Sequence, residues 1–538
     1  MKQKILALLL LLTLTLTACN NLGGGSGTTP PPDGNDNVVE EIKDDGSSHG
    51  ESLEKLGALD GYFEGSANDI SINCVSGTQG CYKVEGNVIT FTALKTDSVY
   101  SISGKFSGSI VIDIGDAHRF ELELCGFSMV SNNKNPITVL SGDEVTIQAK
   151  KDTKNYIYDY RAEISASDTE SLSGAIHSDV DMEISGKGDL FVVSRNNNGI
   201  HSKKDLQVKN LSLTVGCKDN ALKGNDSVAF ENARAYLIAS MGDGVKTSRT
   251  DISDKGNQRG TISFDGGYYN VYSAGDGVDA AYNVVVNAGT TLSIFTAKYS
   301  NLSEIEFTED RSSKGIKAGN EIVINSGDLR IKAIDNAIHV SNDTVLENNA
   351  SPLGNLTVKG GKISLLSQGE GLRAAGNLVI SGGSINIVYS YQGLKADSIA
   401  IKGGTVGIFA SSDGINAQSL SFDGGKTLIV STGGYGAAIN SKSRYTYNAG
   451  SVVAIMREGT TAVTYAKNCK DFGAFGTQKE LDIVSGNCLV CTVGSDTLTV
   501  NMRDTLSAAI IMLGSNGASA QVASENSKGL SLGDFIWE

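Results

Sequence analysis

The chain has 538 residues, 64 of them glycine and five proline, with a formal charge of −15 and a single tryptophan. A chain of this length that is 40% apolar can bury a substantial core, and its acidic balance argues against nucleic acid as a partner. No long helix-period stretch rich in Ala, Leu, Glu and Lys occurs, so the pattern is β.

Residues 1–18 read as a secretory leader: Lys2 and Lys4, then an apolar run too short for a permanent membrane span, then small residues before Cys19. "LTAC" resembles the lipobox of bacterial lipoproteins. That implies lipidation of Cys19 and an exported protein anchored at the outer membrane or cell surface, touching the membrane through this lipid alone. An ordinary leader with an incidental Cys is the alternative. Residues 19–52, with "GGGSGTTPPPDG", cannot bury apolar area and form a flexible tether. The folded part is expected as irregular β coils over 53–165, a regular solenoid over 166–449, and C-terminal coils or a cap over 450–538.

Seven cysteines follow Cys19, an odd number for an exported chain. Cys74 and Cys81 flank "VSGTQG" at hairpin distance, and Cys469, Cys488 and Cys491 form a second group, so disulfides or inert thiols are expected. Cys488-x-x-Cys491 has no second pair or histidine nearby to complete a zinc site.

From "SGAIHS" at 173 to "YGAAINS" at 435 one short phrase recurs, ordinarily every 21 to 25 residues or so. Each unit holds about three short period-two segments, such as "NLVIS" and "SINIVYS", separated by Gly-Gly, Asn-Gly or Asp-Gly turns. This is the layout of a coil in an all-β, right-handed parallel β-helix. The leucine-rich ladder and the tryptophans of a WD-type propeller are missing. In register, Ile176, Ile200, Leu222, Val245, Val278, Ile316, Ile338, Leu372, Leu394, Ile415 and Ile439 point inward. Their successors point outward: His177, His201, Lys223, Lys246, Asp279, Lys317, His339, Arg373, Lys395, Asn416 and Asn440. That column is a candidate anion-binding stripe, with Lys223, Lys246, Lys317, His339, Arg373 and Lys395 as substrate-binding residues. A merely solvated face is the alternative.

Beside it lie turn acids Asp219, Asp243, Asp276, Asp335, Glu370 and Asp413, with a second set downstream at Asp181, Asp205, Asp226, Asp343 and Asp397. Backbone preference alone favours Asp-Gly in turns. Stacked turns also offer the carboxylate and carbonyl oxygens that calcium takes, which makes the first set candidate metal ligands. Three coils are enlarged, two of them just after the basic column, where loops would wall a groove. Tyr268, Tyr269, Tyr272, Tyr389 and Tyr391 are candidates for packing on sugar faces, or plain β-formers.

The run from about 86 to 450, with "HSKKDLQVKN", "GDGVK", "GDGVD", "ISGGSI" and "GSVVAI", resembles the bacterial family named carbohydrate-binding domain-containing protein, parallel β-helices similar in fold to pectate lyases. The resemblance implies calcium and binding to plant-type polysaccharides, including acidic sugars. "EGL", "QGL" and "KGI" depart from "DGI". Three functions stay open: a surface-anchored binder of extended acidic, polygalacturonate-like glycan; a calcium-dependent lyase with Arg373, Lys317 or Lys395 as base; and a structural or adhesive spacer. Charges spread evenly along the cylinder suit binding a polymer better than reaction at one point.

Overall fold

The computed structural model describes residues 68–162, 174–254, 256–296, 312–342, 351–433, 436–442, 445–457, 477–514, 519–523 and 530–538. No helix occurs among them, and strands stack in three parallel rows. The expected β-helix is what forms, right-handed as strand crossovers of this kind are. We call its three sides faces A, B and C in the order in which each coil meets them.

Face A carries the repeated phrase. Its strands run Ile176–Ser178, Ile200–Ser202, Leu222–Gly224, Val245–Lys246, Val278–Ala280, Ile316–Ala318, Ile338–Val340 and Glu370–Ala374, and continue into Gln392–Ile401, Ile415–Ser431 and Ile439–Ser441. Neighbouring rungs pair in parallel with the expected register throughout, from Ile176↔Ile200 to Ile415↔Ile439. Three earlier rungs, Val88–Thr92, Ser109–Asp113 and Ile137–Ser141, extend the row toward the N-terminus. At ~4.8 Å per rung the eleven regular rungs span ~50 Å.

The inward column is fully buried, as are the alternating apolar residues of faces B and C such as Val208, Phe230, Val271 and Ile294. Each contributes ~1.5–3 kcal/mol relative to exposure. The two recurrent glycines have separate causes. In "GVK", a Cβ on Gly244 would stand 2.1 Å from Val271 Cγ1 of face C, so the residue before the inward apolar one must be small. At the B-to-C corner, Gly361, Gly383, Gly404 and Gly425 have φ of +92°, +87°, +83° and +78°, which side-chain-bearing residues rarely adopt.

Antiparallel strands close both ends. Asn68–Ser76 pairs with Ser98–Ser107 at the start, and Leu506–Leu513 pairs with Thr446–Met456 at the finish. At the start this pairing, with Tyr82–Glu85 on Val88–Thr92, blocks the open edges of the parallel rows, and at the finish it blocks that of face C. A four-stranded antiparallel sheet that includes Cys488–Val493 and Asp496–Asn501 shares a second core with the outer side of the last coils, through Phe409, Leu428, Val430 and Val453. Cys74 and Cys81 carry free thiols, the inert-thiol alternative of the two expected for them, and Cys488 and Cys491 are buried. Cys19, Cys469 and Asp343 lie outside the described residues.

Candidate functional site

Face A sets its outward side chains by alternation from the buried column, so His177, His201, Lys223, Lys246, Asp279, Lys317, His339, Arg373, Lys395, Asn416 and Asn440 stand in one line, rung on rung. Two positions before each inward residue from Ile200 onward runs a second line: Asn198, Asn220, Asp243, Asp276, Lys314, Asn336, Glu370, Gln392, Asp413 and Ala437. The backbone fixes it: Gln392 pairs with Glu370 within the strand ladder, and the carbonyl of each of the others accepts an N–H from the preceding coil.

A side-chain ladder runs along this second line. Asn198 Oδ1 accepts the N–H of Asn220 at 3.0 Å, Asn220 Oδ1 that of Asp243 at 3.0 Å, Asp243 Oδ1 that of Asp276 at 2.8 Å, and Asp276 Oδ1 that of Lys314 at 2.7 Å. Asn336 Oδ1 accepts from Glu370 at 2.7 Å and Asp413 Oδ1 from Ala437 at 3.0 Å. A short Asx side chain spans one rung and satisfies a turn N–H that would otherwise be orphaned in a buried corner. Two of the expected acids are therefore misplaced. Asp219 and Asp335 sit one residue before the ladder, and Asn220 and Asn336 take those rungs.

The second carboxylate oxygen of the ladder acids faces the basic line. Lys246 Nζ bonds Asp243 Oδ2 and, at 2.8 Å, Asp279 Oδ2. Lys317 Nζ reaches Asp279 Oδ1 at 3.1 Å and Asp276 Oδ2 at 3.6 Å. Glu370, one methylene longer than Asp, turns to two cations: Lys395 Nζ at 2.8 Å and Arg373 Nη1 at 3.6 Å. Lys314 Nζ lies 2.6 Å from Asp335. Asp413 takes amide donors instead, from Gln392, Asn416 and Asn440. Asp219 lies in the field of Lys223, Lys246 and Asp243, and burial pushes its carboxyl up. The stripe is thus a lattice of both signs rather than a row of free cations.

The histidines are not part of a cationic stripe. His177 and His201 are buried, 1% and 4% exposed, with ring centroids 5.1 Å apart. Burial pushes His201 down to about 3 and His339 down to about 4, and cationic neighbours add to both. All three are neutral at ordinary pH, which overturns their expected role as cations. Of the tyrosines, Tyr269 and Tyr272 are buried, while Tyr268 and Tyr391 are exposed. Of the second acid set, Asp181 and Asp205 stand on consecutive rungs at the start of face B, one coil after Glu144.

The model of the family described as carbohydrate-binding domain-containing protein matches residues 85–351 and 342–434, well over half of the chain and all of the ladder but its last rung. The chain belongs to this family. A relative of the same description from Acetivibrio thermocellus is 29% identical over 119 residues, which is 22% of this chain and 42% of the relative, so the match spans under half of that protein. A solved structure described as a polysaccharide lyase-like protein from C. thermocellum, in a gadolinium derivative, covers 50% of this chain and 92% of its own at 21% identity and a TM-score of 0.37.

Calcium, implied by the family resemblance, can be tested on the donor set. Asp243, Asp276 and Asp279 each bring a carboxylate oxygen within 4.8 Å of the others. However, Asp243 and Asp276 each commit one oxygen to a backbone N–H, and the Lys246 and Lys317 ammoniums hold the remaining positions. Calcium needs six to eight oxygens and no cation in their midst. Asp335 and Glu370 are likewise paired with ammonium or guanidinium, and Asp413 is filled by N–H donors. These five of the six expected ligands do not fit a calcium ion. Of the expected bases, Lys317 fares similarly: although burial alone would lower it, Asp279 and Asp276 hold its ammonium protonated above its ordinary range, the reverse of what proton abstraction requires.

Proposed function

We propose that this member of a carbohydrate-binding family binds an extended, acidic polysaccharide lengthwise along face A, without a bridging metal. The observation that carries the reading is the unbroken register of the polar line, whose rung spacing of ~4.8 Å is close to the length of a pyranose unit. Paired ions in fixed positions present donors and acceptors to successive hydroxyls, with most of the ordering cost met in folding. Most cations are offset by a ladder acid. The exception is the trio in which Arg373 and Lys395, 40% and 38% exposed, share the single carboxylate of Glu370. An anionic sugar gains most there. Lipidation of Cys19 and the tether of 19–52 would hold this face out from a membrane surface, where such polymers are met.

The test is electrophoresis of the full chain, with Cys19→Ser to prevent lipidation, in gels containing polygalacturonate or a neutral glucan. Retardation by the acidic polymer is expected, weaker at high salt and unchanged by EDTA. Arg373→Ala with Lys395→Ala should remove most of it. No retardation by any acidic polymer would leave face A as a structural spacer, and loss of retardation in EDTA would restore the metal.

A further inference from the structure

We infer that Tyr391 is the floor of a single-sugar seat whose polar wall is Arg373, Lys395 and Glu370, and that this seat takes a uronate ring. The inference rests on the lengthwise-binding reading and narrows it to one place on the face.

Tyr391 stands at the corner where face C turns into face A, immediately before the ladder residue Gln392. Its N–H bonds the carbonyl of Gly369 on the rung below at 2.9 Å, and its own carbonyl accepts the N–H of Ser412 on the rung above at 2.8 Å. Glycine on one side and serine on the other leave no bulky neighbour in this line to cover the ring, and the residue is 53% exposed. Tyr389, two residues before it, is half-buried in the strand Ser384–Ser390, and two tyrosines of an earlier coil are used differently. Tyr269 is in the core with its hydroxyl on Gly266 O, and Tyr268 lies under the Arg234 guanidinium, 5.3 Å from its ring. A bare aromatic face beside polar groups fits a ligand with one apolar C–H face and a polar rim, which describes a pyranose.

The charge around it selects the kind of pyranose. Glu370 is the ladder residue one rung below Gln392 and bonds both cations. Lys395 lies four residues after Tyr391, and Arg373 lies on the rung beneath Lys395. His339, on the next rung down, is neutral, so it neither adds to nor competes with the two cations. Asp413, on the rung above, is 6% exposed, and its charge is spread over the amides of Gln392, Asn416 and Asn440 and the N–H of Ala437. Two solvent-facing cations therefore meet one buried carboxylate, and a sugar carboxylate lying over Tyr391 can take the second.

Calorimetric titration of the full chain carrying Cys19→Ser with a short oligogalacturonate, and with its reduced, uncharged counterpart, tests the seat. Tyr391→Ala should weaken the acidic oligomer about tenfold, and Tyr391→Phe should leave it within about twofold, as expected of ring stacking. Because Tyr391 is exposed, the melting temperature should not move in either variant. The uncharged oligomer should bind the parent more weakly than the acidic one, and Arg373→Ala should erase that difference. If Tyr391→Ala binds as the parent does while the parent is still retarded by polygalacturonate, the seat is refuted and the lengthwise reading survives. If the parent is not retarded at all, both fall.

Discussion

Replacing Lys246 by Met keeps an unbranched side chain one heavy atom shorter and deletes one ammonium from a group of three carboxylates and two ammoniums. Asp243 Oδ2 and Asp279 Oδ2 then lose a partner in one step. Breaking a fully buried pair costs ~3–5 kcal/mol. Lys246 is 30% exposed and Asp279 14%, so solvent screens part of this and ~2–3 kcal/mol is expected. Lys395→Met is the control. Its ammonium is 38% exposed and its one partner, Glu370, keeps Arg373, so ~0.5–1 kcal/mol is expected. The assay is the urea midpoint of parent and both variants at pH 7 and pH 5. Burial first, then the charges of Asp279 and Asp243, push Asp276 up to about 6 already in the parent. With Lys246 gone the cluster is driven further upward. A carboxyl whose pKa is raised by folding stabilises below its unfolded value and loses that contribution as pH rises through its folded value. The deficit of Lys246→Met should therefore be largest at pH 7 and shrink at pH 5. Equal deficits for the two variants at both pH values would refute the buried lattice.

Two further outcomes follow from the same geometry. Lys246→Met combined with Lys317→Met should turn Asp243, Asp276 and Asp279 into a cation site, read as terbium luminescence and as a melting temperature raised by millimolar calcium, neither of which the parent should show. Parent stability should rise with pH between about 3 and 6.5, because His201, pushed down to about 3 by burial and then by His177 and Lys223, binds a proton only when unfolded in that window. His201→Gln should flatten the slope of a calorimetric pH series, and an unchanged slope would exclude this histidine as its source.

The coil architecture was legible because a solenoid writes the same constraints eleven times: a small residue against face C, an apolar residue inside, a polar one outside. Tracing Ile176, Ile200 and Leu222 onward recovered the register rung by rung. The neighbouring line was traced by residue type instead, following acids, and so took in Asp219 and Asp335. Counting two back from Leu222 and Ile338 leads to Asn220 and Asn336, the residues whose short side chains bridge the coils. Burial was the harder quantity. His177 and Lys395 occupy equivalent positions, yet one is covered and the other is not, and nothing local to either residue encodes what lies over it. Asp279 stood in the outward line as an exception among cations, but its partners come from rungs on both sides, 33 and 38 residues away in sequence.

The ladder also explains why an acidic protein lines one face with lysine. In six of the coils a turn N–H takes its acceptor from one rung away, and Asn or Asp supplies it. Asn does so without consequence. Asp leaves a second, charged oxygen at a half-buried corner, where an uncompensated charge is costly, and the outward residue three positions on is the nearest that can neutralise it. "DGVK" is thus a unit set by stability, and a lysine in it is weak support for a ligand. Function is better sought where the pairing is uneven. Asp413 is satisfied by amides and leaves no cation over; Asp243, Asp276 and Asp279 outnumber their two lysines; only at Glu370, among the described ladder rungs, do two cations share one acid beside an uncovered aromatic ring. If the lengthwise reading is right, charge-reversing Arg373→Glu should abolish binding of the acidic polymer, whereas Asp243→Asn with Lys246→Met, which removes a matched pair, should leave it nearly unchanged. The opposite order of effects would move the binding surface to the lysine-rich middle of the face.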